Sequence, residues 1–388
     1  MAEFDLLSKI LNPAPPAIDD FGKSIAAGQG FLVVADPGVS AGGFSHVGKA
    51  YKFGGLPPFA EQTSFEAVST DPADFWGQGV AINSTRIFIG AVGDDDAGST
   101  AGIVYIYDHS FNFIGQALGD LTNSDDRFGA FLVADDDMVL VGSGFLGTSG
   151  ATRIYAFDNN GTQLWRTSST GVALPDYHGV TIALGSGIVA VGAPGDDDVD
   201  TNAGALYLYD TDGVLIEKVL NPDTVNTRSM GASVAINSQF IFAGATGSDG
   251  VGFGGYVHIF DHNGDPVDTI NPPPTTGLFF GSNVVCTEDR VAVYQPSSGI
   301  SDARGAVHVY DMSFNLLETL SGDAPDPDNS DDFGSSLAFH NGVLFVGAYE
   351  LFDTEPAAVF AFESLGFTGG AASLFWTELG PNAVQGAS

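Results

Sequence analysis

An aromatic or bulky residue followed by glycine recurs along the chain at a nearly constant interval, and no other feature restricts the fold as much. The pairs are Phe21-Gly22, Trp76-Gly77, Phe128-Gly129, His178-Gly179, Met230-Gly231, Phe280-Gly281 and Phe333-Gly334, with glycines 55, 52, 50, 52, 50 and 53 residues apart. A chain this periodic is a stack of one small unit, each copy too small to bury its own apolar face. Within a copy, a short alternating strand follows the glycine, as at 231–236. A tight polar turn then leads to a more apolar strand ending in glycine, as at 240–244. A loop of variable length reaches Gly-x-Val-Tyr-x-Tyr-Asp or a variant of it at 102–108, 204–210, 255–261 and 305–311, and its period of two marks a third strand. Turns such as 158–161 and 210–213 lead to a fourth. Seven copies of four antiparallel strands specify an all-β, seven-bladed β-propeller.

The N-terminus tests this reading. Residues 4–11 alone could form an amphipathic helix. However, Leu11-Asn12-Pro13 stands at the same distance from Phe21 as Leu220-Asn221-Pro222 from Met230 and Ile270-Asn271-Pro272 from Phe280. Residues 4–11 are therefore a fourth strand without a blade of its own. The last copy has three strands, near 334–339, 343–347 and 357–363. The expectation is that the N-terminal strand pairs with 357–363 and closes the ring, so that 1–364 form the propeller and 365–388 a C-terminal extension. A rival assignment places residues 373–379 in that slot.

Composition fits a folded, acidic, strand-rich protein. The 388 residues hold 12 Lys and Arg against 48 Asp and Glu, a formal net charge of -36, yet only 15% are charged and 44% are hydrophobic. Such a surface repels phosphate backbones and anionic headgroups, so neither nucleic acid nor membrane insertion is expected. The first ten residues have neither a basic nor an apolar signal region, and a secretory leader is not expected. The single cysteine, Cys286, lies in an apolar run and reads as buried and inert. His258 and His308 occupy equivalent third-strand positions and read as packing residues. No nucleophile elbow, zinc spacing or phosphate loop occurs.

Phe333-Gly334 with Val346-Gly347-Ala348, and Val191-Gly192-Ala193-Pro194 with Gly204-Ala205-Leu206-Tyr207, resemble the FG-GAP repeat family, the seven-bladed propeller typified by the integrin alpha headpiece. The resemblance covers residues 1 to about 363 and implies a non-enzymatic adhesion or structural module. It also implies calcium sites in Asp-rich turns between first and second strands. Most of the turns here, 82–85, 134–137, 184–187, 236–239 and 339–342, have too few oxygens for a cage of about six to eight ligands, so those sites are not expected to carry over. A weaker resemblance links 153–165 to one repeat of the quinoprotein propellers. With three Trp and one Cys in the chain, it reads as shared blade geometry.

Propeller geometry places the fourth-to-first and second-to-third connections on one face, where most of the acidic clusters fall. Two Gly-Asp-Asp-Asp loops, carrying Asp94, Asp95, Asp96 and Asp196, Asp197, Asp198, are candidates for capture of a cation such as Ca2+, weighed against plain solvated loops. The Asp residues just before each aromatic-glycine pair read as turn formers, as do Asp158, Asp210, Asp212 and Asp261 in the hairpins. In the nearly uncharged extension, Phe375, Trp376 and Leu379 form an apolar group suited either to docking on another subunit or to self-packing. The expected role is a structural protein of a bacteriophage particle, on tail, fibre or capsid. It would contact other virion proteins through the extension, or a host glycan or receptor, and would be located in the virion. A bacterial extracellular or cell-surface adhesin or lectin is the alternative, and a polysaccharide-acting enzyme comes third.

Overall fold

A computed structural model describes residues 4–13, 20–40, 45–54, 57, 59–66, 73–96, 98, 100–119, 127–143, 153–168, 176–223, 229–247, 254–273, 279–296, 305–321, 333–348 and 357–364. The described strands form seven four-stranded antiparallel sheets, and no helix occurs among these residues. Blades 1 to 6 run consecutively over 24–66, 76–117, 131–168, 181–220, 230–270 and 283–321. Blade 7 consists of Ser336–His340, Val343–Ala348 and Ala358–Ser364, with Phe4–Leu11 as its outermost strand. That strand pairs with Ala358–Ser364 from Phe4↔Ser364 to Leu11↔Ala358, so the ring closes as the Asn-Pro alignment predicts. The rival segment 373–379 lies outside the described residues.

Burial follows strand order. Second strands, such as Ile241–Ala245, are buried throughout, while fourth strands, such as Leu215–Leu220, are largely exposed. Each third-to-fourth pairing contains a register shift. In blades 2 to 6 the preceding turn is held by Asp108, Asp158, Asp210, Asp261 or Asp311, whose Oδ1 accepts N–H groups two and four residues on. Bonds from the Asp265 and Asn263 N–H groups hold Asp261 below the usual carboxylate range. Asp212 sits in its turn as a backbone donor to Asp210.

Both halves of the repeat motif act where blades meet. All seven glycines of the aromatic-glycine pairs have φ between 86° and 106°, a region open to glycine at little cost. The aromatic packs against the third strand of its own blade, with centroids 5.5 Å apart for Phe21 and Tyr51, 5.3 Å for Phe128 and Tyr155, and 5.3 Å for Phe333 and Phe360. The glycine carbonyl presses on the preceding blade. A Cβ at Gly90, Gly142, Gly192, Gly244 or Gly347 would collide with the carbonyl oxygen of Gly129, Gly179, Gly231, Gly281 or Gly22. Hydroxyls of the preceding blade donate to the same carbonyls, Thr181 to Gly231 at 2.8 Å and Ser233 to Gly281 at 2.7 Å.

On the opposite face, the turns that hold calcium in the family close on themselves. Asn83 Oδ1 accepts the Thr85 and Arg86 N–H groups while its Nδ2 donates to the Asp135 carbonyl of blade 3 at 2.6 Å. Asn237 repeats this arrangement toward the Thr287 carbonyl of blade 6 at 2.9 Å. These side chains are occupied as turn braces and blade-to-blade ties.

Two outcomes are expected. Gly244→Ala destabilises by about 1–3 kcal/mol or more in denaturant melts, because the methyl lands on a backbone carbonyl that cannot move independently, whereas Gly30→Ala, with open space around it, costs only its backbone strain of about 1 kcal/mol. Deleting residues 1–11 removes the closing strand with buried Phe4 and Ile10 and lowers both solubility and melting temperature; unchanged melting would contradict closure by this strand.

Candidate functional site

The two Gly-Asp-Asp-Asp loops connect second and third strands in blades 2 and 4, and they match bond for bond. Gly93 N–H donates to the Asp74 carbonyl at 3.0 Å, as Gly195 N–H does to the Asp176 carbonyl at 3.1 Å. Gly102 N–H donates to the Asp94 carbonyl at 3.0 Å, as Gly204 N–H does to the Asp196 carbonyl at 2.9 Å. These bonds tie each loop to the connection entering its own blade, which puts both classes of connection on one face as expected.

The six candidate carboxylates divide into two kinds. Asp94 and Asp196 are buried, each accepting with Oδ1 an N–H two residues on, from Asp96 and from Asp198, both at 3.1 Å. Their Oδ2 atoms accept third-strand hydroxyls, Tyr105 to Asp94 at 2.6 Å and Tyr207 to Asp196 at 3.0 Å. Burial raises the Asp94 carboxyl above its usual range, against the Tyr105 bond. The remaining four, Asp95, Asp96, Asp197 and Asp198, face solvent. Among the described residues, no three His, Cys, Asp or Glu side chains form a group that could hold a metal ion.

Sequence reading missed the residues that organise these loops. In blade 4, Lys218 on the fourth strand places its Nζ 2.6 Å from Asp196 Oδ2, 2.6 Å from Asp198 Oδ2 and 5.1 Å from the Tyr207 ring centroid. Burial opposes its charge, but the bonds to Asp196, Asp198 and Tyr207 outweigh this and hold the ammonium above its ordinary range. Burial also pushes the Tyr207 hydroxyl up to about 12. Asp176, two residues before His178, is also buried, and its Oδ1 has no hydrogen-bond partner. Burial, and then the charges of Asp196 and Asp197, push its carboxyl up to about 6. At Asp74 and Asp176, the loop N–H is accepted by the main-chain carbonyl rather than by the side chain expected of a turn former. The alternation of Tyr105 with Tyr107, and of Tyr207 with Tyr209, was visible, but which hydroxyl reaches a loop depends on strand register.

His258 and His308 are buried third-strand residues whose Nδ1 atoms lie 3.1 Å from Thr269 Oγ1 and 2.9 Å from Thr319 Oγ1, a packing role as expected. Cys286 is buried and in no disulfide. Phe375, Trp376 and Leu379 lie outside the described residues.

The FG-GAP repeat family matches residues 59–107 and 170–209, two stretches that each contain one of the acidic loops and its tyrosine. These two stretches are similar to FG-GAP repeats. Around them the propeller is similar in fold to the Neurospora crassa Pan2 WD40 domain, with a TM-score of 0.59, 13% identity and coverage of 95% of this chain and 98% of that one. It is similar to the WD40 propeller of Doa1, with a TM-score of 0.56, 10% identity and coverage of 94% and 99%. The propeller of the Trilobed protease from Pyrococcus furiosus gives 0.56, 9% identity and 96% and 99%. At these identities the likeness concerns the fold alone. No curated protein sequence matches the chain.

The propeller holds Asp176 charged at neutral pH against burial and like charge. A carboxyl whose folded pKa lies above its unfolded value favours the fold most below the unfolded pKa, and that contribution is lost as pH rises through the folded pKa. Asp176→Asn is therefore expected to stabilise the chain at pH 7 by on the order of 1 kcal/mol, with the difference shrinking between pH about 6 and about 4. Thermal melts of both proteins across that range check it.

Proposed function

We propose that this FG-GAP propeller is a non-enzymatic structural and adhesion module of a bacteriophage particle, presenting its acidic face to a host surface or a neighbouring protein. The observation that carries this reading is the division of labour among the carboxylates. Asp94 and Asp196 stiffen their loops through Tyr105 and Tyr207, and the exposed Asp95, Asp96, Asp197 and Asp198 stand on that support as a fixed negative patch. Pre-formed charge on a closed ring suits recognition, because little ordering remains to be done on contact. Buried carboxylates held by hydroxyl and ammonium donors are poorly placed to exchange protons with a substrate, which favours the module over a polysaccharide-acting enzyme. The extension, with Phe375, Trp376 and Leu379, supplies an apolar anchor for attachment to other virion proteins, leaving the acidic face outward. Calcium, if used, would bind at the solvent-facing carboxylates of the same loops.

The test separates attachment from recognition. Proteomics of purified particles is expected to contain the chain, and truncation after residue 364 to remove it from particles while the isolated ring melts unchanged. The quadruple Asp→Asn variant at positions 95, 96, 197 and 198 is expected to assemble normally but to lose adsorption to host cells. Absence from particles, or full adsorption by the quadruple variant, overturns the respective half of the reading.

A further inference from the structure

Every blade has an aromatic ring or imidazole at one equivalent third-strand position, and the fourth strand places a defined residue opposite it. The pairs are Tyr51↔Ser64, Tyr105↔Gln116, Tyr155↔Arg166, Tyr207↔Lys218, His258↔Thr269, His308↔Thr319 and Phe360↔Lys9 in blades 1 to 7. In blades 5 and 6 the imidazole meets the threonine hydroxyl. Elsewhere a cation serves the ring. Lys9 lies 5.3 Å from the Phe360 centroid and Lys218 5.1 Å from Tyr207, Arg166 stands opposite Tyr155, and in blade 1 Lys49 lies 5.2 Å from Tyr51.

Blade 2 breaks the pattern. Opposite Tyr105 stands Gln116, exposed and neutral, and among the described residues no cation lies over Tyr105 and no ion pair reaches Asp94, Asp95 or Asp96. Three connections between second and third strands are rich in carboxylates: 92–102 in blade 2, 194–204 in blade 4 and 349–357 in blade 7. In blade 4 Lys218 reaches the carboxylates of its connection, and in blade 7 Lys9 stands opposite Phe360. Blade 4 therefore shows what this constellation holds: the residues equivalent to Asp94, Asp96 and Tyr105 close on a primary ammonium at 2.6 Å, 2.6 Å and 5.1 Å.

We propose that the blade 2 loop is a binding site for a primary ammonium group, supplied by a lysine side chain of a partner protein, which takes the position that Lys218 fills in blade 4. Asp94 Oδ2, already oriented by Tyr105, and the solvent-facing Asp96 grip the ammonium, and the face of the Tyr105 ring receives its charge. An ammonium needs three acceptors at most and a calcium ion twice that number, and among the described residues no three metal-type ligands converge at this loop. The inference refines the proposed function by naming the group that the acidic face takes, and rests on that reading only for the partner that carries it.

Titration of the 15N-labelled full chain with Nα-acetyl-lysine amide at low salt tests the site without any particle or host cell, so failure here is distinct from failure in adsorption. Saturable shifts are expected at the amides of residues 93–96. The Nε-acetylated probe gives none, Gln116→Lys abolishes them by tethering an ammonium in place, and Asp96→Asn weakens the probe about tenfold. In Lys218→Ala the same probe is expected to gain saturable shifts at residues 195–198. The proposal is overturned by unsaturable shifts, by shifts that persist in Gln116→Lys, by no gain in Lys218→Ala, or by calcium chloride saturating the blade 2 loop where the lysine probe does not. Gln116 and Asp96 are both exposed, so their variants leave the fold intact.

Discussion

The contact on which this ring depends is a peptide carbonyl lying against the α-carbon of the preceding blade. At five of the seven interfaces the carbonyl belongs to the glycine of an aromatic-glycine pair and the α-carbon to the glycine that ends a second strand. No side chain fits between them, so two glycines a blade apart are fixed by one steric event. The positive φ of the first glycine also turns the preceding aromatic into its own blade, where it packs against the third-strand ring. One backbone bend thus sets both spacing between blades and filling within a blade. At the other two interfaces Ala35 and Tyr294 stand where the second glycine would be, against Gly77 and Gly334. There one side chain occupies the space and only one glycine remains obligatory.

This explains why so much of the fold was legible. The aromatic-glycine pair is short, local and sterically enforced, so it survives in sequence even where Met230 or His178 replaces the aromatic. Closure was legible for a related reason: the Asn-Pro exit from a fourth strand has a fixed distance to the next pair, and residues 11–13 keep that distance. The site was legible only in outline. Clustered aspartates announced the loops, but the burial of Asp94, Asp176 and Asp196 is invisible in a string of acidic residues. Lys218 and Tyr207 are eleven residues apart across a hairpin with a bulge, so their pairing emerges only when the register shift between Leu208 and Tyr209 is known.

Positive charge is scarce enough in this chain that its placement is informative. Four of the five lysines, Lys9, Lys49, Lys52 and Lys218, lie over aromatic rings. Lys52 stands 4.1 Å from the Phe31 centroid and donates to the His109 carbonyl at 2.7 Å, tying blade 1 to blade 2. Its ammonium is pushed below the ordinary range by burial, with Asp108 opposing. An acidic surface would ordinarily draw its few lysines into exposed ion pairs of little value. Here aromatic faces hold Lys49, Lys52 and Lys218 in partly buried positions, where a cation contributes more, while Lys9 is exposed.

The degeneracy of the repeats then acquires a chemical meaning. Blades 5 and 6 have replaced the ring and cation by a histidine and a threonine, and burial pushes His308 down to about 4, so it stays neutral near pH 7 and cannot act as the cation. Their connections between second and third strands contain a single acidic residue each, Asp249 and Asp302. Carboxylate-rich connections occur instead in the sequence before the third strands that carry Tyr105, Tyr207 and Phe360. The carboxylate-rich connections thus all precede a third-strand ring and none a histidine, although rings also follow the acid-free connections 37–48 and 144–152, at Tyr51 and Tyr155. Steric constraint alone accounts for the repeated glycines. In blade 4 a second constraint is visible, the burial of the Asp196 carboxylate beside the ammonium of Lys218.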